Sequence, residues 1–178
     1  MKYNQDELNL LTKRAESGDA QAQYSLAVLY YKGQSVEKDI CKAAYWFEKV
    51  AEKGDVISQS YLGYCYERGL GKVQNYEKAA YWYTKAAEQG DAEAQYRLGY
   101  LYGTGNGVTE DFVKATELFI QSAEQGKAAA QYNAGISYLN GWGVQENRDK
   151  AIEWFKKAAT QGHEDSIDAL RELGITEY

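Results

Sequence analysis

The residues that could do chemistry in this chain are few and far apart. The one histidine, His163, stands late in the sequence, in the register position that Asp19, Asp55 and Asp91 hold earlier. A nucleophile–histidine–carboxylate set needs a histidine held between its two partners. A histidine at the end of the chain reads instead as an exposed residue at a helix start. Cys41 and Cys65 show neither metal-ligand spacing nor a disulfide framework, and both read as reduced residues in the core or on a helix face. The segment GTGNGV at 103–108 is glycine-rich. It lacks the Lys-Ser/Thr and the preceding strand that a phosphate-binding loop requires. The adjacent carboxylates Glu110 and Asp111 read as loop and helix-cap charges, not as an acid–base pair. No catalytic residue, cofactor or metal is expected, and the chain is not expected to be an enzyme.

The totals narrow the field further. The chain has 178 residues and no proline, which suits uninterrupted helices and disfavours a loop-rich β fold. Aromatic residues make up 14% of it, so a packed core rather than disorder is expected. The formal charge of −6 disfavours generic nucleic-acid binding, which needs a basic footprint. The N-terminal segment MKYNQDELNLLTKRAESG has no apolar run of signal-peptide length, and no segment approaches transmembrane length. A cytoplasmic protein is expected, with no membrane partner.

What organises the chain is a period. Gly18, Gly54, Gly90, Gly126 and Gly162 are 36 residues apart. Gln23, Gln59, Gln95 and Gln131 keep the same register, as do Gly33, Gly69, Gly105 and Gly141, then Lys42, Lys78, Lys114 and Lys150. A period of this length marks a supersecondary unit stacked on copies of itself. Such a chain is mostly surface, suited to holding something rather than converting it.

One unit shows the elements. Asp91 is a good N-cap for a helix in which Ala94, Leu98 and Tyr102 share a face. Gly105 and Gly107 break that helix. Asp111 caps a second helix reaching about Gln125, with Ala115, Leu118, Phe119 and Ala123 on its apolar face. Gly99, with Ala27, Gly63 and Gly135 in its slot, predicts a neighbouring helix too close for a larger side chain. Arg171 in that slot would clash with any further helix, so 163–173 reads as a lone terminal helix. Residues 6–17 read as the opposite cap, with Leu10 and Leu11 in the slots of Trp46 and Phe47. Four full repeats then span 18–53, 54–89, 90–125 and 126–161, in a single domain 1–178 expected to be monomeric.

The string at 90–126, GDAxAQYxLGxLYxxGxGVxxDxxKAxxxF followed by AxxG, resembles the Sel-one-like repeat (SLR) family, a relative of the tetratricopeptide repeats. Ala43-Ala44-Tyr45-Trp46-Phe47, Ala79-Ala80-Tyr81-Trp82-Tyr83 and Ala151-Ile152-Glu153-Trp154-Phe155 carry the resemblance through the other repeats. Lys72, in place of Val36, Val108 and Val144, and Leu118, in place of the tryptophan, depart from it. The resemblance implies an all-α, right-handed α/α superhelical solenoid used as an adaptor in signalling, secretion and assembly. Some secreted members carry paired cysteines in each repeat and have been associated with penicillin-binding or β-lactamase activity. This chain lacks those pairs, which leaves a β-lactamase-like hydrolase a remote alternative.

In stacked helical repeats the first helices line the concave surface. Once the repeated core slots are removed, a second face remains on them, and it changes from unit to unit. It reads Gln21, Ser25, Val28, Lys32; Ile57, Tyr61, Tyr64, Arg68; Glu93, Arg97, Tyr100, Thr104; Ala129, Asn133, Ile136, Asn140. Tyrosine and arginine are enriched at binding hot spots. Lys32, Arg68 and Arg97 against Glu93 make the face locally positive, which favours a partner with acidic groups. Trp142 interrupts the series Gln34, Leu70, Asn106, so the period does not require it. The expected partner-binding residues are Tyr61, Tyr64, Arg68, Arg97, Tyr100, Asn133 and Trp142. The expected function is a protein-binding adaptor that grips a partner segment in the groove. The alternative is a bacterial immunity protein that occludes the active site of a toxin.

Overall fold

Every helix but two begins at a side chain that can accept a hydrogen bond from its first turn. The computed structural model describes residues 3–176, and among these there are ten helices. They are α1 (Gln5–Glu16), α2 (Ala20–Lys32), α3 (Ile40–Ala51), α4 (Val56–Arg68), α5 (Tyr76–Glu88), α6 (Ala92–Thr104), α7 (Phe112–Glu124), α8 (Ala128–Asn140), α9 (Arg148–Ala159) and α10 (Glu164–Glu172). The predicted caps Asp91 and Asp111 accept from the backbone N–H of Ala94 and Lys114 at 2.7 and 3.0 Å. Asn4, Asp19, Asp39, Asp55, Asn75 and Asn147 cap their helices in the same way. Each such cap contributes about 1 kcal/mol. Lys127 and His163, before α8 and α10, make no side-chain cap. Among the described residues no helix is long and apolar enough to cross a membrane.

The chain is all-α and divides into two compact units between Gln89 and Gly90. In the first, α1 packs on α2, α2 on α3, α3 on α4 and α4 on α5; in the second, α6 packs on α7, and so on to α10. Two repeated interactions explain residues whose periodicity was plain but whose role was not. The buried Gln23 and Gln59 donate through Nε2 to the carbonyls of Ala15 and Ala51, at the C-terminal ends of α1 and α3. Their Oε1 atoms accept from Lys53 Nζ and Gln89 Nε2, both at 2.8 Å. In the second unit Gln131 donates to Ala123 and accepts from Gln161. Each of these carbonyls also accepts the N–H of the glycine three residues on, so the glutamine adds a second bond from the next helix. The periodic lysines lie over tyrosine rings: Lys42 on Tyr30, Lys78 on Tyr66, Lys114 on Tyr102 and Lys150 on Tyr138, all between 5.1 and 5.3 Å from the centroid. Such contacts contribute about 0.5–1 kcal/mol each at exposed sites.

The deepest aromatic slot is filled by Phe47, Tyr83, Phe119 and Phe155. The slot before it, Trp46, Trp82 and Trp154, is only half-buried. Leu10 is the most open residue of that slot. It shares the Trp46 slot, yet on α1 it is 61% exposed while Leu11 is buried. The slot looks partly outward: the indoles of Trp46 and Trp154 reach the buried clusters, and a leucine is shorter. Arg171 is exposed and paired with Asp168 at 2.8 Å.

Candidate partner-binding site

In the first unit, α4 carries Tyr61, Tyr64 and Arg68 along one face. Tyr61 is part of the packing. Its ring lies 4.3 Å from that of Phe47 and meets Tyr31 edge-on at 5.1 Å, centroid to centroid. Its hydroxyl is buried beside the Cys65 thiol without a well-formed hydrogen bond. Burial pushes the phenol up from its ordinary pKa, with Cys65 adding to the shift. Tyr64 is half-buried, its ring 6.5 Å from that of Tyr61. Arg68 is exposed and lies 3.2 Å from the Glu67 carboxylate.

In the second unit, Arg97 does not stand alone. Glu93, one turn earlier on α6, receives both Arg97 and Lys127, the latter at 2.6 Å. Glu93 stays below the usual carboxylate range. Its partial burial pushes the other way, but Lys127 and Arg97 outweigh it.

Three of the expected residues meet in one place. Tyr100 on α6, Asn133 on α8 and Trp142 in the following loop line a cleft of ≈180 Å³ between α6, α7 and α8. Its floor is Ala115, Thr116 and Phe119, and Phe112 closes one side. Tyr100, Phe112 and Trp142 are all well exposed, and the Phe112 and Trp142 rings are 5.9 Å apart. The loop is firmly held. Trp142 donates its N–H to the Ser137 carbonyl, and its own carbonyl accepts from the buried Thr116 hydroxyl at 2.7 Å. Gly143 follows because the backbone passes the carbonyl of Phe112 too closely for any Cβ. Of the cleft's residues, Gly103, Phe112, Thr116 and Ser137 stand outside the sequence reading. Phe112 is the first residue of α7.

The chemistry-bearing residues lie elsewhere. His163 is half-buried rather than exposed, stacked on Tyr132 at 5.2 Å with Nδ1 3.1 Å from Ser166 Oγ. Cys41 is exposed on α3, whereas Cys65 is buried on α4 and burial pushes its thiol up to about 11. No three His, Cys, Asp or Glu side chains converge among the described residues.

The Sel1 repeat matches at residues 20–55, 56–91, 92–127 and 128–163. A solved protective antigen of uropathogenic Escherichia coli strains, displaying an SLR fold, is 40% identical over 92% of this chain, with a TM-score of 0.85. A Sel1 repeat protein from Oxalobacter formigenes is 34% identical over 86%, with a TM-score of 0.80. This chain spans only 35% and 63% of their respective lengths. An immunity protein from Pseudomonas aeruginosa is 25% identical over 90% of the chain and 60% of its own, with a TM-score of 0.51. No curated protein matches. The bridging glutamines, the lysine–tyrosine contacts and the paired helices thus recur with the spacing of a known solenoid unit, and the chain belongs to the Sel1-repeat family.

Proposed function

We propose that this chain is a protein-binding module that holds a partner segment against its first helices by shape and charge, without chemistry. The observation that carries this reading is the exposed aromatic cleft of the second unit, where Tyr100 and Trp142 stand open to solvent beside Asn133. Exposed aromatics around a recess are the usual material of an interface core. Arg97 and Lys127, gathered at Glu93, are cations that a segment bearing carboxylates would engage. The test is capture of partners by the purified chain beside a Tyr100→Ala/Trp142→Ala variant of equal stability. A partner bound by the first and lost by the second supports the reading, and equal capture refutes the site.

A second reading has its own support in the likeness to the immunity protein from Pseudomonas aeruginosa. The chain would then block a toxin. A basic toxin would suit the net charge of −6. Co-expression with the product of a neighbouring gene tests this: relief of a growth defect supports it, and a harmless neighbour product counts against it.

A further inference from the structure

Tyr31 on α2 and Gly103 on α6 hold the same register slot, and so do Tyr61 on α4 and Asn133 on α8. In the first unit both slots are full, with the Tyr31 and Tyr61 rings packed edge-on and Tyr61 lying over Phe47. In the last repeat Leu139 takes the slot and packs against the cluster around Phe155 and Leu170. In the second unit the counterpart of Phe47, Phe119, is in place, but Gly103 and Asn133 leave the space above it open as the cleft. Packing does not impose that opening. A Cβ on Gly103 would meet only Ala115 Cβ, at an ordinary 3.7 Å. Gly103 is helical, so alanine would also be the better helix former there.

We infer that this cleft is a receptor pocket for one aromatic side chain presented by a partner protein, which takes the place that the Tyr31 ring occupies internally in the first repeat. This rests on the reading of the chain as a protein-binding module and names the anchor that the module takes. Phe112, Trp142 and Tyr100 supply the walls, Phe119 the floor and Asn133 a polar group beside the ring.

The probe is p-cresol, the side chain of tyrosine, titrated into the full chain while the Trp142 indole N–H is followed by NMR. The signal is assigned through Trp142→Phe. A saturable shift is expected in the wild type. It should vanish in Gly103→Tyr, which restores the ring of the first repeat, and in Gly103→Leu, which copies Leu139. Both variants should melt no lower than the wild type, and either one suffices if the other fails to fold. No saturable shift in the wild type, or an undiminished shift in a folded variant, overturns the inference. The wider reading has a separate readout in partner capture. A partner lost by Tyr100→Ala/Trp142→Ala but kept by Gly103→Tyr would leave the module standing and remove the aromatic pocket.

Discussion

Gly135 on α8 faces the ring of Phe155 on α9 so closely that a Cβ built on it would stand 2.5 Å from Cε1. Gly63 stands in the same way to Tyr83, and Gly99 to Phe119, where the carbonyl of Ala115 also closes in at 3.1 Å. The mid-helix glycine is therefore the partner of a buried ring within its own repeat. Gly99→Leu should destabilise the fold by about 1–3 kcal/mol or more through overpacking. Gly103→Ala, four residues along the same helix, should be neutral or stabilising by up to about 1 kcal/mol. Thermal or denaturant unfolding of the two variants side by side checks the contrast.

The glutamine bridge makes a second prediction. Gln131→Leu keeps the bulk but removes two hydrogen bonds, one to the Ala123 carbonyl, which keeps the N–H of Gly126, and one from the amide of the exposed Gln161. Losing hydrogen bonds of this kind costs about 0.5–1.5 kcal/mol each. Urea unfolding should show that loss, and a variant as stable as the wild type would remove the bridge from the account.

The two thiols should differ sharply in reactivity. Cys41 is exposed, whereas Cys65 is buried with its thiol raised to about 11 by burial. The thiolate is the reactive form. A thiol reagent at neutral pH should modify one cysteine rapidly in the native protein and the second only on unfolding, as peptide mapping will show.

Glu93 sets a pH dependence. Lys127 and Arg97 outweigh its burial and lower its pKa from the ordinary 4.5. The folded state therefore binds this proton less readily than the unfolded state. The stabilisation is complete above the ordinary value and fades as the pH falls through the lowered one. Glu93→Gln should flatten the acid limb of the melting-temperature profile below about pH 4.5 and leave the slope near neutrality unchanged.

The first helices also divide by role. Tyr61→Ala should lose about 2–3 kcal/mol of stability, because its ring packs on Phe47 and Tyr31. Tyr100→Ala, on an exposed ring, should stay within about 0.5 kcal/mol of the wild type. Differential scanning calorimetry separates the two.

The fold was legible because its causes are local and repeated. Asp91 and Asp111 announce helix starts by side-chain chemistry alone, and Gly105 announces a stop. Gly99 revealed a close neighbour but not which one, since the ring of Phe119 lies twenty residues away on the next helix. Register predicts the slot of Leu10, whereas exposure depends on how much of the slot a leucine can cover. Tyr61 was read as surface because its position varies between repeats, although here it varies to fill the core. The cleft escaped notice because an absence makes it. Comparing Gly103 with Tyr31, and Asn133 with Tyr61, would have found it as two bulky residues missing from adjoining slots.

The most direct test of the proposed role is quantitative partner capture with four proteins: the wild-type chain, Tyr64→Ala/Arg97→Ala, Tyr100→Ala/Trp142→Ala and Gly103→Tyr. Each is first shown to melt like the wild type or higher, and bound proteins are read by mass spectrometry. One partner bound by the wild type and lost by the two cleft variants is the predicted result, with weaker loss in Tyr64→Ala/Arg97→Ala. A partner retained equally by all four would contradict the account and move binding away from the first helices altogether.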